Sequence, residues 1–193
     1  MKNLTAISAV ALVVGLSFGA VDAQAGNEFE PQIKAAYAKY VASWLSDPAV
    51  VNAIKAQNAK HAGMSAAEID KADKEWRAEK KAGGGEMIKG VLSNALSGFL
   101  KGKKSASGGL ITEMFVMDNK GMNVGQSDPT SDYMQGDESK WKKSYGAGSG
   151  AMFVDDVEFD DSTKSFQSQV SGTVSDGGKA IGAITVGLNV EKL

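Results

Sequence analysis

The sequence predicts an α+β fold in which N-terminal helices pack on a five-stranded antiparallel sheet. Apolar residues recur at three- and four-residue steps in the first half of the chain, which is the helical period. In the second half they alternate with polar residues, as in strands. The 193 residues, 42% of them hydrophobic, suffice for one core. We therefore expect one domain over residues 26–193, helical over 26–109 and sheet-forming over 110–193.

The first 25 residues have the pattern of a signal peptide. Lys2 precedes a nearly apolar run over residues 6–21, and Ala23-Gln24-Ala25 fits the small-x-small pattern of a cleavage site. The run is shorter than the roughly 20 residues that a bilayer span needs, which favours cleavage after Ala25 over retention as a membrane anchor. Export of a chain without cysteine suits a bacterial periplasm, and no later segment is apolar enough to span a membrane, so we expect a periplasmic protein that does not span a membrane after cleavage.

Two helix starts are marked by capping residues. Asp47-Pro48 supplies an N-cap and a first helical residue for the second helix, which Gly63 should end. Ser65 and Glu68 have the spacing of a capping box, which predicts a third helix up to residues 83–85.

Two further helices are predicted from apolar stripes. The first begins near Pro31 and continues through Leu45. The fourth is predicted as one amphipathic helix from Met87 to Leu100, before a basic segment and a Ser/Gly turn over 105–109.

Turn sequences divide the second half into five strands. Asp118 to Gly121 forms a hairpin turn, and a polar loop with a short helix near Glu138 to Tyr145 precedes the third strand. The predicted strands cover residues 111–117, 122–125, 152–159, 166–174 and 180–190.

Composition and spacing argue against several classes of function. The absence of cysteine and the presence of one histidine, His61, argue against thiolate or poly-histidine metal sites and cysteine nucleophiles. Lys and Arg number 21 against 23 Asp and Glu, so nothing favours nucleic acid. The acidic run over 155–161 misses EF-hand spacing, and His61 fits a structural role at a helix C-terminus. We expect no enzyme activity, no metal and no cofactor.

The loop between the second and third strands is the best candidate for a binding site. It is polar but carries Tyr133 and Trp141, and long ordered loops on a rigid sheet often bind ligands. The alternative is that both rings only pack the loop onto the sheet.

The sequence resembles the extracellular Cache (PAS-like, PDC-type) sensor domains, in particular the small periplasmic single-Cache proteins. The resemblance implies helices packed on a five-stranded antiparallel sheet that binds a small ligand under its middle loop. It rests on Phe115-Val116-Met117-Asp118-Asn119-Lys120-Gly121, Ser131-Asp132-Tyr133, Gln135-Gly136-Asp137-Glu138 with Trp141, and Ile181-Gly182-Ala183-Ile184-Thr185-Val186-Gly187.

From this resemblance, Tyr133, Trp141, Phe153 and Asp155 are the expected ligand-binding residues. Two positions depart from the amino-acid sensors of the family. Ser139 stands where they have an arginine, and Gly187 where they have an aspartate on a late strand. A ligand carboxylate would then meet a lysine, Lys140 or Lys142, instead of a bidentate guanidinium.

The resulting hypothesis is a periplasmic protein that binds a small solute and signals to a separate membrane partner. Family members usually form the sensory part of a chemoreceptor or histidine kinase, so such a partner, and a role in signal transduction or chemotaxis, are expected. The alternative is a non-enzymatic interaction module without a small ligand, with the Met87 to Leu100 segment as a docking face.

Overall fold

The computed structural model describes residues 27–161 and 163–193, so the predicted signal peptide lies outside the described residues. Among these described residues, five α-helices precede the sheet, and one short α-helix lies between its second and third strands. The helices are α1 (Glu30–Tyr40), α2 (Pro48–His61), α3 (Ala66–Lys81), α4 (Glu86–Leu92), α5 (Ala95–Ala106) and α6 (Ser139–Lys142). The strands are β1 (Ile111–Met117), β2 (Asn123–Gln126), β3 (Met152–Asp160), β4 (Ser165–Asp176) and β5 (Lys179–Asn189).

The strands form one antiparallel sheet in the order β2-β1-β5-β4-β3. This architecture confirms the predicted α+β fold class. The last strand of the sequence, β5, lies at the centre, and β2 and β3 form the two edges. Strand limits differ from the predicted ones by at most two residues, and β1 matches its predicted range.

The main core lies between the helices and one face of the sheet. Val116 on β1, Val170 on β4 and Ile184 on β5 are completely buried against it. Ile33 on α1 and Ile54 on α2 are buried in the same cluster. Burial of each such side chain stabilises the fold by about 1.5–3 kcal/mol, so the helices are held mainly by this face.

Both predicted capping signals are present. Asp47 accepts a hydrogen bond from the Ala49 N–H at 2.8 Å and begins α2. Ser65 and Glu68 form the reciprocal capping box at the start of α3. The sequence therefore positions these two helix starts through local chemistry alone.

Two predicted helices are each divided in the structure. The first ends at Tyr40 and is followed by a 3-10 segment, Ala42–Ser46, whose Trp44 still packs into the core. The fourth is interrupted at Asn94, whose side chain accepts from Ser97 N–H at 2.8 Å and so caps α5. The Asn94 amide also donates to the β2 carbonyl of Val124 at 2.8 Å. A contact to the sheet thus determines where the break falls.

Among the residues that the structure describes, none belongs to a helix that is long and apolar enough to cross a bilayer.

Candidate functional site

The outer face of the sheet, which points away from the main core, carries the candidate site. Directly paired residues on antiparallel strands share a face. Phe115, Thr185, Ser171 and Phe153 are paired in one row across β1, β5, β4 and β3. Residues 127–151, which we call the covering loop, connect β2 to β3 and include α6.

Part of the outer face is filled by aromatic rings from the covering loop. Trp141 and Tyr145 pack against Phe115, Met117 and Ala183, with their own ring centroids 4.8 Å apart. The indole N–H of Trp141 also donates to the backbone carbonyl of residue 118, in the β1–β2 turn, at 3.2 Å. The covering loop is therefore anchored on the sheet by Trp141.

A polar cavity of about 230 Å³ lies beside this cluster, between α6 and strands β3 and β4. Since liquid water occupies about 30 Å³ per molecule, the cavity has room for roughly seven waters. It is smaller than the about 300–1,000 Å³ of sites for drug-sized ligands, which restricts it to a small solute. Its lining residues are Glu138, Lys140, Asp155, Asp156, Glu158, Gln167 and Gln169.

A fixed carboxylate lies next to the two cavity glutamines. The Glu113 Oε1 atom accepts a hydrogen bond from each side-chain amide, Gln167 and Gln169, both at 2.9 Å. The Thr112 hydroxyl donates to the Gln167 side-chain carbonyl. Gly187, which is paired with Glu113, leaves room for the Glu113 side chain, because a Cβ at position 187 would lie 2.9 Å from the Glu113 Cγ.

The charge of the cavity lining is predominantly negative. Lys140, with its side chain 14% exposed, pairs with Glu138 at 2.9 Å. Its ammonium also lies 5.4 Å from the centroid of the Phe115 ring. The other three charged lining residues, Asp155, Asp156 and Glu158, are all acidic. A ligand with an ammonium group therefore suits this lining better than a ligand with a carboxylate does.

No guanidinium reaches this site. The chain's only arginine, Arg77, lies on α3 and pairs with Asp73 at 2.7 Å and with Asp132 at 3.2 Å. These carboxylates raise the pKa of Arg77, with the Asp73 hydrogen bond the largest cause. Arg77 therefore fastens the covering loop to α3.

Three of the four predicted site residues lie on or beside the outer face. Asp155 lines the cavity, Trp141 belongs to the aromatic cluster, and Phe153 lies in the outer row with the Lys143 ammonium 4.4 Å from its ring centroid. Tyr133 does not join them. It is buried in a separate cluster, where its ring stacks on Trp76 with centroids 5.5 Å apart.

The environment of Tyr133 explains its position. Its backbone N–H donates to Asp73 on α3 at 2.9 Å, which directs the ring toward the helices. Burial, with a smaller contribution from the Asp118 charge, raises the pKa of Tyr133. The presence of aromatic residues in the loop does not distinguish packing on the helices from packing on the sheet.

Sequence reasoning missed Glu113 and the partner of His61. Glu113 was identifiable as a carboxylate within the largely apolar β1 segment. His61 was predicted to meet only the end of its helix, whereas its Nδ1 lies 2.9 Å from the buried Asp118 carboxylate. That partner lies 57 positions away in the chain, so no local pattern shows it.

No family model and no curated protein matches the chain. Several solved structures are similar to it. The ligand-binding domain of the Campylobacter jejuni chemoreceptor Tlp3 with L-norvaline is 16% identical, with a TM-score of 0.40, and the match covers 52% of this chain and 41% of that one. The sensor domain of the Vibrio cholerae histidine kinase DctB is 13% identical, with a TM-score of 0.43, and the match covers 85% of this chain and 54% of that one. The Tlp3 sensory domain with isoleucine bound is 14% identical, with a TM-score of 0.40, and the match covers 81% of this chain and 64% of that one.

These structures are sensor domains of chemoreceptors and of a histidine kinase, the kinds of protein that the sequence resemblance named. The chain spans between 41% and 64% of their lengths. At these identities and TM-scores the likeness concerns the fold alone, and the ligands remain those of the chemoreceptors.

Proposed function

We propose that this protein is a periplasmic sensor domain that binds a small solute in the cavity beneath the covering loop. The observation that carries the proposal is the polar cavity of about 230 Å³, two of whose lining side chains, Gln167 and Gln169, are held in place by the Glu113 carboxylate next to it. A polar network in which the partners are already oriented lowers the cost of ordering them on binding. Export with cleavage after Ala25 belongs to this proposal, and the intact mass of the exported protein tests it.

The lining charges select the class of solute that we expect. Asp155, Asp156 and Glu158 are not balanced by Lys140, which Glu138 already pairs. A small amine should therefore bind in this cavity more favourably than a carboxylate. An amino acid would find no guanidinium in the cavity to pair with its carboxylate. Amines lead the ligand panel for this reason.

The covering loop offers a route from the cavity to the protein surface. Its residue Thr130 accepts a hydrogen bond from the Trp76 indole on α3 at 3.0 Å, and Pro129 accepts one from Lys80 at 2.7 Å. A solute that shifts this loop also shifts its contacts with α3. A membrane-bound receptor that binds one state better would then read the loaded fraction as a population shift.

A thermal-shift screen with amines, amino acids, carboxylates and purines tests the proposal, because a ligand that binds the native state raises its melting temperature. Asp155→Asn and Gln169→Ala should abolish the shift of any hit and leave the fold intact. Asp70→Asn is the matched control, since this exposed carboxylate on α3 pairs with Lys74 and lies outside the cavity lining. Equal shifts in all three variants would remove the cavity from the proposal.

The second candidate is an interaction module without a small ligand. One observation favours it: Trp141 and Tyr145 already fill the part of the outer face over Phe115. Silence across the whole panel would support this candidate. Its docking face cannot be the predicted Met87 to Leu100 segment, because Leu96 and Leu100 are buried in the main core.

A further inference from the structure

We propose that His61, Met64 and Met87 form a binding site for a monovalent copper ion, Cu(I), apart from the solute cavity. They line a cleft of about 660 Å³ between α2, the start of α4 and β2. Tyr133, which the solute site does not use, lies at the same cleft. This departs from the expectation of no metal, which considered thiolate, poly-histidine and carboxylate ligand sets.

The His61 ring is held in the orientation that a metal ligand requires. The residue is 6% exposed, and its Nδ1 hydrogen-bonds the Asp118 carboxylate at 2.9 Å. That carboxylate is itself fixed by the backbone N–H groups of Lys120 and Met122 and by the Gln57 amide. A carboxylate on one ring nitrogen is the usual outer partner of a metal-binding histidine.

The other ring nitrogen is available to the cleft. In the tautomer that donates from Nδ1 to Asp118, Nε2 carries the lone pair. Within residues 27–161 and 163–193, the structure gives Nε2 no hydrogen-bond partner, although His61 is more than nine-tenths buried. Nε2 is not one of the fully buried side-chain atoms without a partner, so it stays open to the cleft and to an ion bound there.

Methionine sulfurs provide the remaining donors. Met64 follows His61 by three residues, and Met87 lies in the first turn of α4. Both line the cleft and are partly exposed, although they also pack against the cluster in which Met122 is fully buried. The three rotatable bonds of a methionine allow its sulfur to turn toward an ion without a change of the backbone.

This donor set favours Cu(I) over other cations. Thioether and imidazole groups are soft or borderline ligands, which suit Cu(I), whereas Ca²⁺ and Mg²⁺ take oxygen ligands. The chain has no cysteine, so no thiolate competes for the ion. Lys60 and Glu86 also line the cleft, and their opposite charges leave it without a large repulsion toward a monovalent cation.

Anaerobic titration with Cu(I), kept reduced by ascorbate and competed with the chromogenic chelator bicinchoninate, tests the site. We expect one ion bound per chain, and at least tenfold weaker binding in both Met64→Leu and Met87→Leu. Leucine nearly preserves the volume of methionine, so these variants should fold, as far-ultraviolet circular dichroism would show. Met152→Leu, which changes an exposed methionine on β3, is the matched control and should bind as the unaltered protein does.

Failure to compete with the chelator, or equal affinity in all three variants, would overturn the site. X-ray absorption of the copper-loaded protein should show sulfur and nitrogen neighbours, and a shell of oxygen alone would also refute it. The solute proposal fails or stands separately, because Asp155→Asn should leave Cu(I) binding unchanged. Loss of Cu(I) binding in Met64→Leu should likewise leave the solute-induced thermal shift unchanged.

Discussion

Gly187→Ala tests whether the carboxylate network of the solute cavity is built as described. Gly187 lies on the central strand, paired with Glu113 on β1 and with Gln169 on β4. A Cβ at this position would lie 2.7 Å from the Gln167 Oε1 and 2.9 Å from the Glu113 Cγ, and still closer to the Thr112 hydroxyl. These separations are below van der Waals contact, so the added methyl group must displace the side chains that form the network.

The expected cost follows from three contributions. Overpacking of a buried site costs about 1–3 kcal/mol. Loss of one hydrogen bond in the network adds about 1 kcal/mol. Removal of glycine from a strand returns about 0.5–1 kcal/mol of backbone entropy. The free energy of unfolding should therefore fall by about 2 kcal/mol, and the thermal shift of any cavity ligand should decrease with it.

Urea unfolding monitored by circular dichroism measures the change. Gly102→Ala on α5 is the matched control, because a Cβ there meets nothing within 4 Å, and it should stabilise the protein by about 0.5–1 kcal/mol. Thr112→Ala removes the nearest obstructing atom, so the double variant should be more stable than the sum of the two single changes by at least about 0.5 kcal/mol. A Gly187→Ala protein as stable as the control would refute the reasoning.

Two further predictions concern the helices. Asn94→Ala should lower the free energy of unfolding by about 1 kcal/mol or more, measured in urea, because it removes the α5 cap and the bond to β2. Burial raises the pKa of Tyr37, so its contribution to stability is complete below pH about 10 and is lost as the pH rises beyond it. Tyr37→Phe should flatten this alkaline loss in pH-dependent melting, without a cost at pH 7, since the buried hydroxyl has no hydrogen-bond partner among the described residues.

The parts of the fold that depend on local chemistry were predictable from the sequence. The Asp47 and Ser65 caps and the hairpin turn after Met117 act within a few residues, and each is present where predicted. The breaks in the two long helices were not predictable. The second depends on Asn94 reaching the Val124 carbonyl on β2, a contact that exists only after the sheet has packed.

The candidate site divides in the same way. Asp155 was expected from the resemblance to the sensor family, and it does line the cavity. The placement of Tyr133 depends on Asp73, 60 positions earlier in the chain, which holds its backbone N–H. Local spacing identifies an aromatic residue in an ordered loop, but only the packing of α3 determines which cluster it enters.

The Glu113 carboxylate shows what strand register adds to such predictions. In the sequence alone, Gly187 is one of many glycines, and Glu113 is a single charge in a largely apolar segment. The pairing of β1 with β5 places these two residues opposite each other, so the space left by the glycine is the space that the glutamate network uses. The register thus places the Glu113 carboxylate, held by Gln167 and Gln169, beside Gly187 on the neighbouring strand.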